Sequence, residues 1–207
     1  NNAKPGLVII EHTTTSADLP IELNTILNTK DVTFIDAPIS GGQAGAENGK
    51  LSVMAGGDKE SFEKIEEILQ DYSKFIKYLG PSGSGQLTKM VNQICIAGLL
   101  QGLSEAMNFS DKVGLNTDEV IEVISKGAAQ SWQMENRWKT MIDDDYHHGF
   151  AVDLMRKDLD IVIGKAEKLN ISLDVTKSVN EYYKDIQKAG GGRWDTSSLY
   201  KRLKDII

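Results

Sequence analysis

The run Gly83-Ser84-Gly85-Gln86-Leu87-Thr88-Lys89-Met90-Val91-Asn92-Gln93 holds two glycines, an amine and three amides within eleven residues. Lys89, Asn92 and Gln93 stand at i, i+3 and i+4, so a helix carries all three on one face. Such a trio can bind a hydroxyl or a carboxylate, with Lys89 moving the proton. The flanking positions are apolar, and desolvation at a buried edge lowers an amine's pKa from about 10.4 toward neutrality. Taken alone, a lysine near a helix start is more often simply solvated. The run is not a P-loop, because Lys89 does not directly follow the second glycine. Nor is it a dinucleotide fingerprint, since Thr88 stands at the third glycine position.

A second group, Asp36-Ala37-Pro38-Ile39-Ser40-Gly41-Gly42, follows a predicted strand. Ligands of open α/β sheets gather at such strand ends. The Ser40 hydroxyl and the N–H groups of Gly41 and Gly42 could cradle a carboxylate, the alternative being a glycine-rich turn with no ligand. Thr13-Thr14-Thr15 lies past another strand and reads alone as a cap or turn. Phe150 precedes Arg156-Lys157-Asp158-Leu159, a pattern usual for a salt-bridged helix surface. His12, His147 and His148 have no partnered Cys or carboxylate spacing, so no metal site is expected and a surface role is assigned to them. Cys95, inside Ile94-Cys95-Ile96-Ala97, reads as a small buried hydrophobe rather than a reactive thiol. Trp132, Trp138 and Trp194 read as core or interface anchors.

These residues need elements to place them. Up to about residue 81, short β-type runs alternate with amphipathic helices. Strands are expected at Leu7–Glu11, Val32–Asp36, Leu51–Ala55 and Phe75–Leu79. Ser16 could cap a helix through about Leu27, and Asp58 one carrying Phe62, Ile65, Ile68 and Leu69. Beyond residue 83 only helical periodicity remains. Helices are expected over Gln86–Lys112, Asn116–Ser125, Gln133–Met141, Asp153–Lys168 and Asp174–Lys188, with a flexible Gly190-Gly191-Gly192 break before a last one from Thr196. The fold class is thus an α/β segment, residues 1–81, followed by an all-α domain, residues 82–207.

Composition narrows the function classes. The 207 residues carry a net charge of −7, from 30 acidic and 23 basic residues, without a basic stripe, which disfavours nucleic-acid binding. No apolar run reaches the roughly 18–20 residues that span a bilayer. One cysteine permits no intramolecular disulfide and suits a reducing compartment, the cytoplasm or a mitochondrial matrix.

In this order and spacing, the motifs Thr13-Thr14, Asp36 to Gly42, Gly83-x-Gly85-x-x-x-Lys89-x-x-Asn92, Lys157-Asp158-Leu159 and Asp195-Thr196-Ser197 resemble the β-hydroxyacid dehydrogenase family. The resemblance covers nearly the whole chain. It implies the C-terminal part of a Rossmann-type domain joined by a long helix to a helical substrate and dimerisation domain. It also implies an NAD- or NADP-dependent enzyme interconverting a small hydroxyacid and its semialdehyde or keto form. On this basis Lys89 is the general acid/base, and Ser40, Gly41, Gly42, Asn92 and Gln93 bind substrate. Thr14, Phe150, Lys157 and Asp158 then belong to the cofactor side. A homodimer or homotetramer is implied as well. Gln93 stands where many members have a second Asn, and Glu11-His12-Thr13 replaces a more usual Asp-Met-Ser. In the family the Gly-x-Gly-x-x-Gly loop precedes the region where this chain begins, and the chain opens in a loop, Asn1–Gly6. The 207 residues alone are therefore expected to be inactive. Alternatives are a 6-phosphogluconate-type decarboxylating dehydrogenase, an imine-reductase relative, or a non-catalytic dimerisation module on the same fold.

Overall fold

The computed structural model describes residues 3–206; Asn1 and Asn2 of the expected entry loop lie outside the described residues. The chain divides into two compact units after Asn92. The first holds β1 (Val8–Glu11), α1 (Asp18–Asn28), β2 (Thr33–Asp36), β3 (Ile39–Ser40), α2 (Gly42–Glu47), β4 (Leu51–Ala55), α3 (Lys59–Gln70), β5 (Ser73–Tyr78) and the start of α4 (Ser84–Lys112).

Strands β1 and β2 are parallel, with Val8 opposite Thr33 and Glu11 opposite Asp36. A second sheet has the order β3-β4-β5, with β3 antiparallel and β5 parallel to β4. Asp36 and Gly56 form an antiparallel bridge. Ile35, Ala37, Val53, Ala55, Phe62, Ile65 and Leu69 make the core of this unit, and Val8 and Ile10 pack against it. The spacing of Phe62, Ile65 and Leu69 is what turns one face of α3 inward. The Asp58 carboxylate caps α3 by accepting the Ser61 N–H at 2.8 Å, and the Ser16 hydroxyl accepts the Leu19 N–H at 3.2 Å.

Two elements were not anticipated from the sequence. Strand β3 is two residues long, and α2 is a six-residue helix where only a glycine turn was expected. Gly45 is buried in α2, where an added Cβ would stand 3.2 Å from the Leu51 side chain. Packing rather than propensity explains a helix with so little intrinsic preference.

The second unit contains the remainder of α4, then α5 (Thr117–Ile124), α6 (Trp132–Ile142), α7 (Val152–Lys168) and α8 (Asp174–Lys188). A 3-10 turn at Thr196–Ser198, an α turn at Leu199–Lys201 and a π turn at Arg202–Ile206 follow. Asn116 and Ser131 cap α5 and α6 through their side-chain oxygens. One core cluster joins Ala97 and Leu100 to Val152, Met155, Leu159, Val179, Tyr183, Ile186 and Leu199. A second gathers Leu103, Met107, Ile121, Met134, Met141, Tyr146 and Tyr200. Among the described residues no helix is long and apolar enough to cross a membrane.

Two local expectations are corrected. Cys95 is exposed, not buried. The buried stripe of α4 runs through Gln93, Ala97, Leu100, Ser104 and Met107, and a residue two positions past Gln93 faces nearly the opposite way. The Gly190–Gly192 break is packed rather than loose: a Cβ on Gly191 would lie 2.2 Å from the Trp194 ring, and one on Gly192 2.5 Å from the Asp153 carboxylate. Trp132 is half exposed and lies under the Arg137 guanidinium, whereas Trp138 and Trp194 pack on the core.

Candidate active site

The site begins at the carboxyl ends of β1 and β2, where parallel strands leave backbone groups and side chains free to meet a ligand. Asp36, the last residue of β2, is fully buried. Its carboxylate accepts the Gly83 N–H at 2.8 Å and the Gln86 N–H at 3.0 Å, and so caps the start of α4 from another element. Burial pushes the Asp36 carboxyl above the usual range, against the lowering effect of these amides. The glycines of the Gly83-x-Gly85 motif serve this contact. A Cβ on Gly85 would stand 2.4 Å from the Met54 carbonyl and 2.5 Å from that of Asp36; one on Gly83 would stand 2.5 Å from the Ala17 carbonyl. The close approach that these glycines allow is therefore to other elements of the chain.

Helix α4 fixed in this way delivers Lys89, which is 8% exposed. Its Nζ donates to the Ile39 carbonyl at 2.8 Å, one residue before Ser40. Lys89 and the Ser40-Gly41-Gly42 turn thus occupy the same place in the first unit. Ser40 is half-buried, and Gly41 and Gly42 are exposed with φ of 133° and 61°, the left-handed range that favours glycine. Asn92 lies one helical turn beyond Lys89 on α4, half-buried.

Thr14 sits in the loop after β1. That loop is tied to α4 by Gln86, whose carboxamide accepts the Thr15 N–H at 2.9 Å and donates to the Thr13 carbonyl at 2.8 Å. Glu11 accepts the Thr13 N–H at 2.7 Å, and Thr13 holds its carboxyl below the usual range. His12 is not a surface residue, as its sequence context suggested. Nδ1 lies 2.6 Å from the Ala37 carbonyl and Nε2 2.9 Å from the Tyr72 hydroxyl. The ring enters the first unit because residue 12 follows β1 directly beside the end of β2.

The remaining candidates belong to the second unit. Gln93 and Asp158 are both buried, and the Gln93 amide donates to Asp158 Oδ2 at 2.7 Å. Lys157 pairs with Oδ1 of Asp158 at 2.9 Å while keeping its side chain 44% exposed. Phe150 is half-buried, and its N–H donates to Asp195 at 2.8 Å. Asp195 also takes the N–H and hydroxyl of Ser197 and pairs with Arg137 at 3.2 Å, so the Asp195-Thr196-Ser197 motif anchors the Phe150 segment. Among the described residues no group of His, Cys, Asp and Glu could hold a metal ion.

Sequence reasoning passed over Gln86, Tyr72 and the capping role of Asp36, and gave His12 a surface role. A glutamine three residues into a helix was a weak signal for the first. No spacing links residues 12 and 72, which only the fold brings together.

Comparison with known proteins identifies the chain's relatives. Residues 83–203 match the family described as NAD-binding of NADP-dependent 3-hydroxyisobutyrate dehydrogenase. Residues 1–80 match the NAD binding domain of 6-phosphogluconate dehydrogenase. An uncharacterized oxidoreductase of Shewanella frigidimarina is 52% identical over 96% of this chain and 68% of its own length. The 2-(hydroxymethyl)glutarate dehydrogenase of Eubacterium barkeri is 32% identical over 96% of this chain and 66% of its own. The crystal structure of 3-hydroxyisobutyrate dehydrogenase from Salmonella typhimurium superposes with a TM-score of 0.86 at 29% identity, over 96% of this chain and 70% of that one. The chain thus spans about two thirds of the length of these relatives. It belongs to the β-hydroxyacid dehydrogenase family, oxidoreductases that use NAD or NADP.

Proposed function

We propose that the protein interconverts a small hydroxycarboxylate and its semialdehyde or keto form, with Lys89 as the proton-transfer group. One observation carries the reading: a buried lysine amine held 2.8 Å from the Ile39 carbonyl, beside the Ser40-Gly41-Gly42 turn. That turn supplies a hydroxyl and two backbone N–H groups, a donor set suited to a carboxylate. An anion resting there brings its neighbouring carbon–oxygen bond to the amine.

In the oxidative direction the neutral amine takes the hydroxyl proton as the carbon–oxygen double bond forms. In the reverse direction the ammonium stabilises and then protonates the developing alkoxide. Asn92, on the same helical face, is suited to hold the reacting oxygen through its amide. The nicotinamide, when bound, accepts or supplies the hydride. Its fit rests on the donor set at the ends of β1 and β2. Thr14 lies on a loop whose backbone Gln86 fixes at Thr13 and Thr15, and the motif resemblance assigns it to the nicotinamide end of the dinucleotide. The motif resemblance assigns Phe150, Lys157 and Asp158 to the cofactor as well. The exposed apolar residues Val91, Leu99 and Phe109 on α4 support self-association of chains through that helix.

Turnover of the full-length protein on a panel of short hydroxyacids and semialdehydes, with each nicotinamide cofactor, tests the reading. Lys89→Ala should lower kcat by about 100-fold to 10,000-fold while cofactor binding and folding persist. Undiminished turnover in that variant would remove Lys89 from the chemistry.

A further inference from the structure

We infer that His12 is a positioning residue for the carboxylate turn, acting through the row of carbonyls at Ala37, Pro38 and Ile39; this rests on the function proposed for Lys89. Each carbonyl of that row accepts a donor from a different element. Ala37 O faces His12 Nδ1 at 2.6 Å, Pro38 O accepts the Met54 N–H at 3.0 Å, and Ile39 O accepts Lys89 Nζ at 2.8 Å. The Ala37 N–H in turn donates to the Glu11 carbonyl at 2.8 Å, so Ala37 is tied to the end of β1 at both its polar groups. Pro38 has no N–H and a fixed φ, so at that residue the carbonyl is the backbone handle by which the segment is held.

A carbonyl oxygen only accepts, so Nδ1 carries the hydrogen. In the neutral ring Nε2 is then the acceptor for the Tyr72 hydroxyl. Tyr72 packs edge-on against the ring, with centroids 5.6 Å apart at 85°. The Ala37 carbonyl therefore fixes the tautomer of the imidazole and the phenol its tilt, and the imidazole in turn holds Ala37. Two residues further on, the chain reaches Ile39, where Lys89 docks, and then the Ser40-Gly41-Gly42 turn. His12 touches neither substrate nor cofactor in this account. Its effect reaches the reaction as the spacing between the anion's cradle and the amine.

Two near-isosteric substitutions separate this role from general stabilisation. Asn places an amide N–H where Nδ1 stands, whereas Gln reaches only the Nε2 position. In the full-length protein, His12→Gln should raise KM for the hydroxyacid about tenfold, the loss of roughly one hydrogen bond's worth of anchoring, with kcat for the best substrate changed less. His12→Asn should stay within about twofold of the parent. Hydrogen exchange at the Ser40, Gly41 and Gly42 amides, without any ligand, should accelerate in His12→Gln and not in His12→Asn. The imidazole nitrogens of the parent should show the Nδ1–H tautomer by NMR. Equal behaviour of the two variants in exchange and KM, or an Nε2–H tautomer, overturns the inference. If Lys89→Ala keeps its turnover, the functional reading fails instead, and the exchange comparison still decides whether His12 holds the turn.

Discussion

The side-chain amide of Gln93 donates to the Asp158 carboxylate at 2.7 Å, joining α4 to α7 inside the second unit with both residues buried. A hydrogen bond to a buried charge is stronger than one between neutral groups. Gln93→Leu should destabilise the protein by about 2 kcal/mol, because Asp158 loses its buried donor while the pair with the half-exposed Lys157 remains. Asp158→Asn should cost less, since the asparagine oxygen still accepts from Gln93. Denaturant titration of the two variants checks the order; a larger loss in Asp158→Asn would show that the Lys157 pair dominates.

Glycines along α4 divide into two kinds. Gly85→Ala should be severely destabilising or block folding, since its Cβ would meet two backbone carbonyls at 2.4 and 2.5 Å that cannot swing aside. Gly98→Ala and Gly102→Ala meet nothing within 4 Å and should each stabilise by about 0.5–1 kcal/mol through helix propensity. Thermal unfolding of the three variants in one buffer is the measurement.

Much of this could be anticipated, and the exceptions share a cause. Strand β4 and helix α8 begin and end at the expected residues because alternation and helical spacing are local properties. The Asp58 cap is equally local. Strand β3 and helix α2 escaped because both are short and glycine-bearing, and derive their form from neighbours. At the candidate site, Lys89 and the Ser-Gly-Gly turn stood out as composition at fixed spacing, whereas Gln93, the third member of the Lys89 trio, bonds Asp158 in the second unit. His12, Tyr72 and Gln86 did not stand out, because their partners lie 25 to 73 residues away.

Asp195 should prove the most sensitive acidic residue of the second unit. Asp195→Ala removes the acceptor for the Phe150 N–H and for Ser197, and leaves Arg137, whose side chain is 18% exposed, without its carboxylate. The expected loss is about 3 kcal/mol, with faster amide exchange from Gly149 through Ala151. A neutral effect on both readouts would exclude an anchoring role for the Asp195-Thr196-Ser197 motif.

Stability should also vary with pH through Asp185. Its Oδ2 accepts from Arg202 Nη2 at 2.9 Å and Nε at 3.1 Å, which holds its carboxyl below the usual value of 3.8. A depressed folded pKa contributes stability that is fully present above the unfolded value, and that is lost as pH falls through the folded one. Asp185→Asn should therefore cost somewhat under about 1 kcal/mol at pH 7, a partly exposed pair being screened by solvent. Below the folded value the variant and parent should converge. Urea midpoints at pH 7 and pH 2.5 give the comparison, and a constant difference across that range would rule the pair out as the cause.

Successive side chains on an α-helix turn by about 100°, so the residue at which a helix starts sets the azimuth of every residue after it. In α4 that origin is dictated from outside, by the Asp36 carboxylate receiving Gly83 and Gln86. Were the cap to slip by one position, the amine of Lys89 would swing through more than a quarter of a revolution and lose the Ile39 carbonyl. A single acid at the end of one strand thereby acts as the phase reference for the stretch of helix that carries Lys89 and Asn92.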